Sequence, residues 1–261
     1  MKNFTQLKKN LKNDFSNLKK IRVAILGDTS TQFLVQAIRS LGFDEGFDLN
    51  IWEADFNQIE RQVFDSVSEL YEFKPEIIII FQSSHKLLSK YNKLTVSQQS
   101  ALCSDELQKI ENLYDSIVSR ISAKIIFYNY TEIDDSIFGN FANKVESSFL
   151  FQLRKINYEL MMMASKNANI YIADLSSVQN QMGKASVFQS SVYINSEMVL
   201  SIDSLPSIAS RTVDLIKTLY GKIKKCVILD LDNTTWGGII GDDGLENIQI
   251  GSLGIGKAFS E

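Results

Sequence analysis

Two aspartates in the C-terminal part of the sequence, Asp230 and Asp232, have the type and spacing that phosphoryl-transfer chemistry uses. They follow the apolar run Cys226–Leu229, which predicts a strand, and because side chains alternate along a strand, both carboxylates start on the same side. In such a pair one carboxylate attacks phosphorus, the other protonates the leaving oxygen, and a bound Mg²⁺ neutralises the charge between them. We expect the Thr234 hydroxyl to fix the loop. The alternative is that the two acids only cap a turn.

The residues after this pair suit a loop that approaches a phosphate group. Gly237 and Gly238 have no side chain, so the backbone comes close to a ligand there. Asp242-Asp243-Gly244 is typical of a hairpin turn, and it lies between predicted strands at 238–240 and 247–250. The sequence therefore predicts a strand, a phosphate-binding loop and a hairpin in that order.

A second group of polar residues follows predicted strands in the N-terminal part. Gly27-Asp28-Thr29-Ser30 leads into a helix, where small hydroxyl residues cap free amide groups and attract anions; a plain N-cap is the alternative. His85, the only histidine, follows the third predicted strand, and Asp174 follows the fifth. Because parallel sheets bind ligands at the carboxyl ends of their strands, these loops form a second candidate site.

The elements that position both sites are short apolar runs separated by segments of helical periodicity. The predicted strands are Arg22–Leu26, Leu49–Glu53, Glu76–Phe81, Lys124–Tyr128 and Asn169–Ala173. The predicted helices are Gln32–Leu41, Gln58–Tyr71, Ser104–Ile121 and Val145–Ser165. This alternation predicts an α/β fold with a doubly wound parallel sheet and helices on both faces.

Three other segments are less regular. Residues 1–22 carry basic side chains and apolar residues at helical spacing, which predicts an amphipathic helix packed on the domain rather than a membrane-surface or anion-binding arm. Residues 183–205 show no clean period, with short extended pieces predicted at 192–194 and 198–202. Pro206 opens a predicted helix that ends near Leu219.

The composition excludes several classes of protein. The chain has 261 residues, 27 basic against 31 acidic side chains and a net charge of −4, which argues against a nucleic-acid binder. No apolar run is long enough to span a membrane, and the N-terminus lacks the features of a secretory signal, which predicts a cytoplasmic protein. One histidine excludes a His-rich metal centre, and Cys103 and Cys226 lie too far apart for a disulfide framework or a paired zinc motif.

The residues around Asp230 resemble motif I of the haloacid dehalogenase (HAD) superfamily, and the longer stretch Asp230–Gly251 resembles its FkbH-type branch, subfamily IIIC. The resemblance implies that Asp230 is the nucleophile and Asp232 the general acid/base. It also implies that Mg²⁺ is held by the Asp230 carboxylate and the Asp232 main-chain carbonyl, with Trp236–Gly251 as the squiggle and flap.

In FkbH-type proteins the implied reaction loads a phosphorylated three-carbon acid onto an acyl carrier protein, with loss of phosphate. The resemblance thus implies a small phosphorylated substrate and an acyl carrier protein as partner. Cys226 is a candidate acyl carrier, but ordinary packing at the start of a buried strand is the favoured interpretation.

The N-terminal loops resemble those of SGNH hydrolases, in which a Gly-Asp-Ser turn supplies the nucleophile and a late Asp-x-x-His supplies the base. Here the turn reads Gly27-Asp28-Thr29, and Asp174 is followed three residues later by Ser177. Thr29 or Ser30 therefore lacks the usual base, unless His85 replaces it from another loop. The resemblance implies an SGNH-like fold that has lost its catalysis.

These resemblances divide the chain into an SGNH-like domain at 1–222 and the beginning of a HAD-like, Rossmann-like domain at 223–261. Because the further HAD motifs are not found before residue 261, we expect the chain to be part of a longer protein. Three functions stay open: a Mg²⁺-dependent HAD-type phosphatase or phosphoryl-transfer enzyme, a non-catalytic docking module for a carrier or partner protein, and a residual SGNH esterase.

Overall fold

Five apolar runs of the sequence form one parallel sheet, since a strand buried on both faces is apolar along its whole length. The computed structural model describes residues 2–133, 135–252 and 254–260. Its strands are β1 (Lys19–Gly27), β2 (Phe47–Glu53), β3 (Ile77–Phe81), β4 (Lys124–Tyr128) and β5 (Ile170–Ala173). The sheet order is β2-β1-β3-β4-β5 and every pairing is parallel. The predicted doubly wound parallel sheet is confirmed.

Helices cover both faces of this sheet. They are α1 (Phe4–Lys8), α2 (Gln32–Asp44), α3 (Ile59–Phe64), α4 (Glu69–Phe73), α5 (Ser84–Tyr91), α6 (Val96–Ser100), α7 (Leu102–Val118), α8 (Phe149–Lys166), α9 (Leu175–Met182), α10 (Lys184–Val187), α11 (Ser190–Ser196) and α12 (Leu205–Leu219), with 3-10 turns at Lys9–Lys12 and Gly139–Lys144. Ala24 and Leu26 belong to the core cluster that includes side chains of α7 and α8. On the opposite face the Tyr128 hydroxyl bonds to Thr212 of α12.

This sheet and its helices form one compact unit, Met1–Leu219, and Tyr220–Glu261 form a second. Each unit is described by itself. In the first unit, fully buried isoleucines of β3 such as Ile78 and Ile79 lie between the two helical layers. Burying one such side chain contributes about 1.5–3 kcal/mol, so the sheet is the rigid frame that holds the loops at its carboxyl edge.

One predicted helix, Gln58–Tyr71, is two short helices in the structure, α3 and α4. The chain leaves the helical conformation at Asp65, whose carboxylate accepts a hydrogen bond from the Val67 amide at 3.0 Å. The Ser68 hydroxyl then donates to the Gln62 carbonyl at 2.6 Å. Such local bonds from short polar side chains compete with a continuous helix, which explains the break.

The predicted amphipathic helix over residues 1–22 is wrong beyond residue 12. α1 and the 3-10 turn end before Asn13, and the Asp14 carboxylate turns the chain by accepting the Ser16 amide at 2.8 Å. β1 begins at Lys19, because Lys19 and Lys20 pair with β2. The N-terminal segment nevertheless packs on its domain, as expected: Leu7 is fully buried.

The segment before α12 is more helical than predicted. The extended piece predicted at 192–194 is wrong, because it lies within α11, where the Ser196 hydroxyl donates to the Val192 carbonyl at 2.7 Å. Glu197 then ends the helix with a left-handed backbone, φ 54°. Of the second predicted piece, at 198–202, Leu200 forms an antiparallel bridge with Phe188.

The second unit has little regular structure besides the short helices α13 (Ile240–Asp243) and α14 (Gly254–Ser260). The apolar run Cys226–Leu229 forms no strand in the described part of the chain, and Val227 and Ile228 are 73% and 92% exposed. A strand needs the backbone of a neighbouring strand to bond with, and the described residues of this unit supply none. The predicted strand is therefore not formed here.

The predicted hairpin of this unit is reduced to one bridge. Gly237 and Gln249 exchange two antiparallel backbone hydrogen bonds, of 3.0 and 2.7 Å. Between them the chain forms α13 instead of a two-residue turn, because the Asp243 carboxylate accepts the Ile239 amide at 2.8 Å and its own amide bonds to the Ile239 carbonyl. Gly244 ends this turn with a positive φ of 72°.

Candidate functional site

The loop after β1 places Asp28 at the carboxyl edge of the sheet, next to the end of β3. The Asp28 amide donates to the Phe81 carbonyl at 3.1 Å, and Asp28 Oδ2 accepts the Ser83 amide at 2.8 Å. Burial raises the pKa of Asp28 from 3.8 to about 6, against the opposing effect of the Ser83 hydrogen bond. Gly27 is favoured before it, because a Cβ there would lie 2.8 Å from the Thr29 carbonyl oxygen.

Thr29, the residue in the position of the SGNH nucleophile, is fully buried. Its hydroxyl oxygen has no hydrogen-bond partner among the described residues. The next residue, Ser30, is held by the loop after α11, since its amide donates to the Glu197 carbonyl at 3.0 Å. A hydroxyl that is out of contact with solvent and has no base beside it is not an activated nucleophile.

Asp174 serves as the N-cap of α9. Its Oδ1 accepts the Ser177 amide at 3.0 Å and the Asn129 side-chain amide at 2.7 Å. Thus Ser177, which stands where an SGNH enzyme would have its histidine, bonds back to Asp174 through the main chain. The structure places this aspartate in a capping role.

His85 lies in the first turn of α5, with its ring stacked on Phe188 at 4.0 Å between centroids. Burial lowers the pKa of His85 from 6.5 to about 4, and its Nδ1 has no hydrogen-bond partner in the described ranges. A general base of the triad type is oriented by an acidic partner and has a pKa near neutrality. In the described ranges no acidic side chain bonds to the His85 Nδ1, so the structure does not orient His85 as such a base.

In the second unit, Asp230 and Asp232 lie on a loop that their own neighbours hold in shape. Asp232 Oδ1 accepts the Trp236 indole N–H at 3.1 Å and the Ile240 amide at 3.2 Å. The Thr235 hydroxyl donates to the Asp230 carbonyl at 2.8 Å. The hydroxyl group that holds this loop in the structure is that of Thr235, whereas Thr234 was expected to do so.

The glycine positions of this loop have different roles. Gly238 has a positive φ of 98°, and a Cβ there would lie 2.9 Å from Asp243 Oδ2. The Gly238 amide donates to Asn233 Oδ1 at 2.9 Å, and Asn233 itself adopts a left-handed backbone, φ 53°. Gly237 is buried and forms the bridge to Gln249. The loop thus needs small residues for its own conformation, which the sequence had indicated only for approach to a phosphate.

Metal binding in this unit would rest on few side chains. Across residues 2–133, 135–252 and 254–260, no group of three or more His, Cys, Asp or Glu side chains is arranged to hold an ion. Asp230 is exposed and Asp232 partly exposed. Because Mg²⁺ binds oxygen ligands, keeps several waters and commonly uses one or two carboxylates plus a substrate phosphate, this donor set fits it.

Cys226 is exposed. The favoured interpretation of this residue, packing in a buried strand, is therefore wrong for the described structure. Its Sγ lies 3.9 Å from the Val227 carbonyl oxygen.

Comparison with known families decides the relationship of the chain. The family described as "FkbH, N-terminal domain" matches residues 22–217. The chain belongs to the FkbH family. This FkbH-family chain is 47% identical to the N-terminal part of protein BF1531 from Bacteroides fragilis, whose crystal structure contains a phosphatase domain complexed with Mg. The two structures agree with a TM-score of 0.92 over 100% of this chain and 68% of that chain.

More distant solved structures share only the fold of this FkbH-family chain. The lipase Lip_vut3 from a goat rumen metagenome is 12% identical, with a TM-score of 0.51 over 74% of this chain and 96% of that chain. The expected SGNH-like fold is thereby confirmed. No curated protein matches the chain. Within the described ranges, no helix is both long and apolar enough to cross a membrane.

Proposed function

We propose that this FkbH-family chain carries the nucleophile of a Mg²⁺-dependent phosphatase or phosphoryl-transfer enzyme. An Asp230 carboxylate oxygen attacks phosphorus, the bond from phosphorus to the leaving oxygen breaks, and Asp232 gives its proton to that oxygen. Water then attacks the aspartyl phosphate, Asp232 takes a proton from it, and phosphate is released. Both residues return to their starting states.

The observation that carries this proposal is the fixed position of the Asp232 carboxylate. Two donors, Trp236 and Ile240, bond to the same oxygen, Oδ1. Two bonds from groups four and eight residues further along orient the carboxyl group relative to the loop. An acid that only capped a turn would not need an indole N–H as an additional donor. The relative from Bacteroides fragilis, described as containing a phosphatase domain complexed with Mg, supports the same chemistry.

Asp230, through its carboxylate, and Asp232 are the residues that would hold Mg²⁺. The ion would neutralise the negative charge that gathers between the carboxylates and the transferring phosphoryl group. Thr234, Gly237 and Gly238 are proposed to face the phosphate of a small phosphorylated substrate. The exposed apolar run before Asp230 supports the proposal that further strands complete this domain, because an uncovered apolar segment is otherwise unfavourable.

The partner we propose is an acyl carrier protein, which would receive the acyl group of an acyl phosphate. This proposal rests on the family relationship: a thiol attacks the acyl carbon, the bond from that carbon to the phosphate oxygen breaks, and the thiol proton leaves with the phosphate group, while the phosphoryl transfer to Asp230 acts on a separate phosphate group of the substrate. Cys226 stays a candidate for the intermediate acyl carrier, since its thiol is exposed. Nucleic acid and membrane are not expected as partners.

The test uses the natural protein that contains these residues, with acetyl phosphate as probe and phosphate release as readout. We expect Mg²⁺-dependent release that falls by about 10³-fold or more in Asp230→Asn and Asp232→Asn. Asp242→Asn, an exposed aspartate of the same unit, is the matched control and should retain activity. Undiminished release from Asp230→Asn would rule out this function.

A second candidate function is a non-catalytic docking module formed by the first unit. It is favoured by the buried Thr29 and the capping role of Asp174, because these two residues leave the SGNH-like unit without the usual nucleophile and base. Titration calorimetry of the whole protein with holo acyl carrier protein tests it. Binding that persists in Asp230→Asn would support docking by another part of the protein, and absence of binding would count against it.

A further inference from the structure

A polar cleft of about 330 Å³ lies at the carboxyl ends of β1 and β3, and the proposed phosphatase chemistry does not use it. Its lining includes Asp28 from the loop after β1, Gln82 and Ser83 from the end of β3, Lys86 from α5 and Lys109 from α7. A volume of this size is at the lower end for small-molecule sites. The buried Thr29 does not line it.

The position of the cleft in the topology marks it as a ligand site. In the sheet order β2-β1-β3-β4-β5, β1 has β2 on one side and β3 on the other, so the chain winds in opposite directions from this point. In open α/β sheets such a switch point opens a crevice outside the carboxyl ends of the strands, where ligands bind. Asp28 directly follows β1, and Gln82 and Ser83 are the two residues after β3.

Asp28 supplies an acceptor that the described protein atoms do not use. Its Oδ2 accepts the Ser83 amide at 2.8 Å, whereas its Oδ1 is buried and has no partner in the described ranges. A buried carboxylate oxygen without a donor costs free energy, and natural proteins retain such costs mainly at functional sites. A ligand group that reaches this oxygen would satisfy it by donating a hydrogen bond.

Lys86 supplies a positive charge that a negatively charged group of a ligand can bind. The two other lysines of the lining pair with acids of the same lining, Lys109 with Glu60 at 2.8 Å and Lys90 with Glu106. Lys86 instead pairs with Glu197, which lies outside the lining, at 2.7 Å, and both side chains are more than a third exposed. Exposed ion pairs are worth only about 0–1 kcal/mol, so an anionic group of a ligand can replace Glu197.

The charges around Asp28 select the kind of donor. Lys86 and Lys109 line the same cleft as Asp28, so the carboxylate already has cations near it. A neutral hydroxyl group therefore suffices as the donor to Asp28 Oδ1 and adds no further positive charge to the cleft.

We propose that this cleft binds a small hydroxylated anion, with its hydroxyl group donating to Asp28 Oδ1 and its carboxylate or phosphate group at Lys86. All the residues that line it belong to the unit Met1–Leu219. It gives the SGNH-like unit a binding role that needs neither a nucleophile nor a general base.

Isotope-labelled protein in EDTA tests this site, because removal of divalent ions disfavours phosphate binding at Asp230. The Ser83 amide, which bonds to Asp28, is the NMR reporter. The carboxylate probes form a matched series: lactate has a hydroxyl group, propionate has no donor, and alanine has an ammonium group. Glycerol 3-phosphate and ethyl phosphate repeat the comparison with and without a hydroxyl group for a phosphate. We expect lactate or glycerol 3-phosphate to shift the Ser83 signal and to bind at least about tenfold more tightly than the analogue without a hydroxyl.

Two variants and one control assign the contacts. Lys86→Gln should weaken binding by about tenfold, and Asp28→Asn should remove the preference for the hydroxylated probe. Lys155→Gln changes an exposed lysine that also pairs with a glutamate but does not line the cleft, and it should leave affinity unchanged. Tighter binding of alanine than of lactate, binding unaffected by both cleft variants, or no binding of either hydroxylated probe to folded protein would overturn the proposal.

Discussion

Replacing Asp28 by asparagine is expected to stabilise the first unit at neutral and alkaline pH and to leave its stability nearly unchanged at about pH 4. In the native state burial raises the pKa of Asp28 from 3.8 to about 6. Between these two values the native state binds more protons than the unfolded state, so the contribution of Asp28 to stability falls as pH rises. A neutral asparagine does not ionise, so its contribution to the stability of the native state does not fall as pH rises.

The magnitude follows from the pKa shift. A change of about 2 units corresponds to about 3 kcal/mol, which the native Asp28 loses as its carboxyl group ionises. The Ser83 amide keeps an acceptor, because the asparagine side chain retains one oxygen at this position. Asp28→Asn should therefore gain about 2.5 kcal/mol over the wild type at pH 8, relative to its difference at pH 4, because the unfolded carboxyl group is already partly ionised at pH 4. The opposite pH dependence of His85, whose pKa burial lowers, is present in both proteins and cancels.

Urea denaturation at several pH values between about 4 and 8 measures this difference. The chain has two tryptophans, so the Trp236→Phe background leaves Trp52, in β2, as the reporter of the first unit. Asp115→Asn, an exposed aspartate on α7, is the control and should change stability by less than about 0.5 kcal/mol at every pH. A difference between Asp28→Asn and wild type that does not vary with pH would refute the assignment of a buried, destabilised carboxylate.

Three further outcomes are expected. Thr29→Val should leave the free energy of unfolding unchanged or raise it by up to about 1 kcal/mol in urea denaturation, because it removes a buried hydroxyl group without a partner. A serine-directed fluorophosphonate should not label Thr29, and labelling would support the residual SGNH esterase instead. Gln152→Leu should cost about 2–4 kcal/mol in the same assay, since its buried amide bonds to the Cys103 amide and to two carbonyls; a loss below about 1 kcal/mol would contradict this. Trp236→Phe should lower phosphate release about tenfold by freeing Asp232, as measured by steady-state kinetics, and unchanged kinetics would contradict that role.

The sheet was predictable from sequence because each of its strands is a continuous apolar run between helical segments, as parallel strands buried on both faces are. The missed helix α5 has the opposite character: it has only eight residues, which mix two lysines and two serines with two leucines, so it shows barely two turns of a helical pattern. The break between α3 and α4 depends on side-chain bonds of Asp65 and Ser68, which compete locally with a helix.

The candidate sites were predictable to the extent that single loops carry them. Asp28, Thr29 and Asp174 stand after strands, and the sheet topology brings them to one edge. The cleft was not predictable, because Lys86 and Lys109 come from different helices and only the packed fold brings them near Asp28. The prediction of a strand before Asp230 was wrong for a related reason: an apolar run forms a strand only where a neighbouring strand pairs with it.

Trapping of the phosphorylated intermediate tests the central claim most directly. The natural protein containing these residues is incubated with Mg²⁺ and acetyl phosphate, and the reaction is quenched with borohydride. Borohydride reduces an aspartyl phosphate to homoserine, and peptide mass spectrometry then locates the modified residue. The proposed function predicts homoserine at Asp230 in wild type and in Asp242→Asn, none at Asp230 without Mg²⁺, and none in Asp230→Asn. Mg²⁺-dependent phosphate release with no modification at Asp230, or with modification at another aspartate, would contradict it.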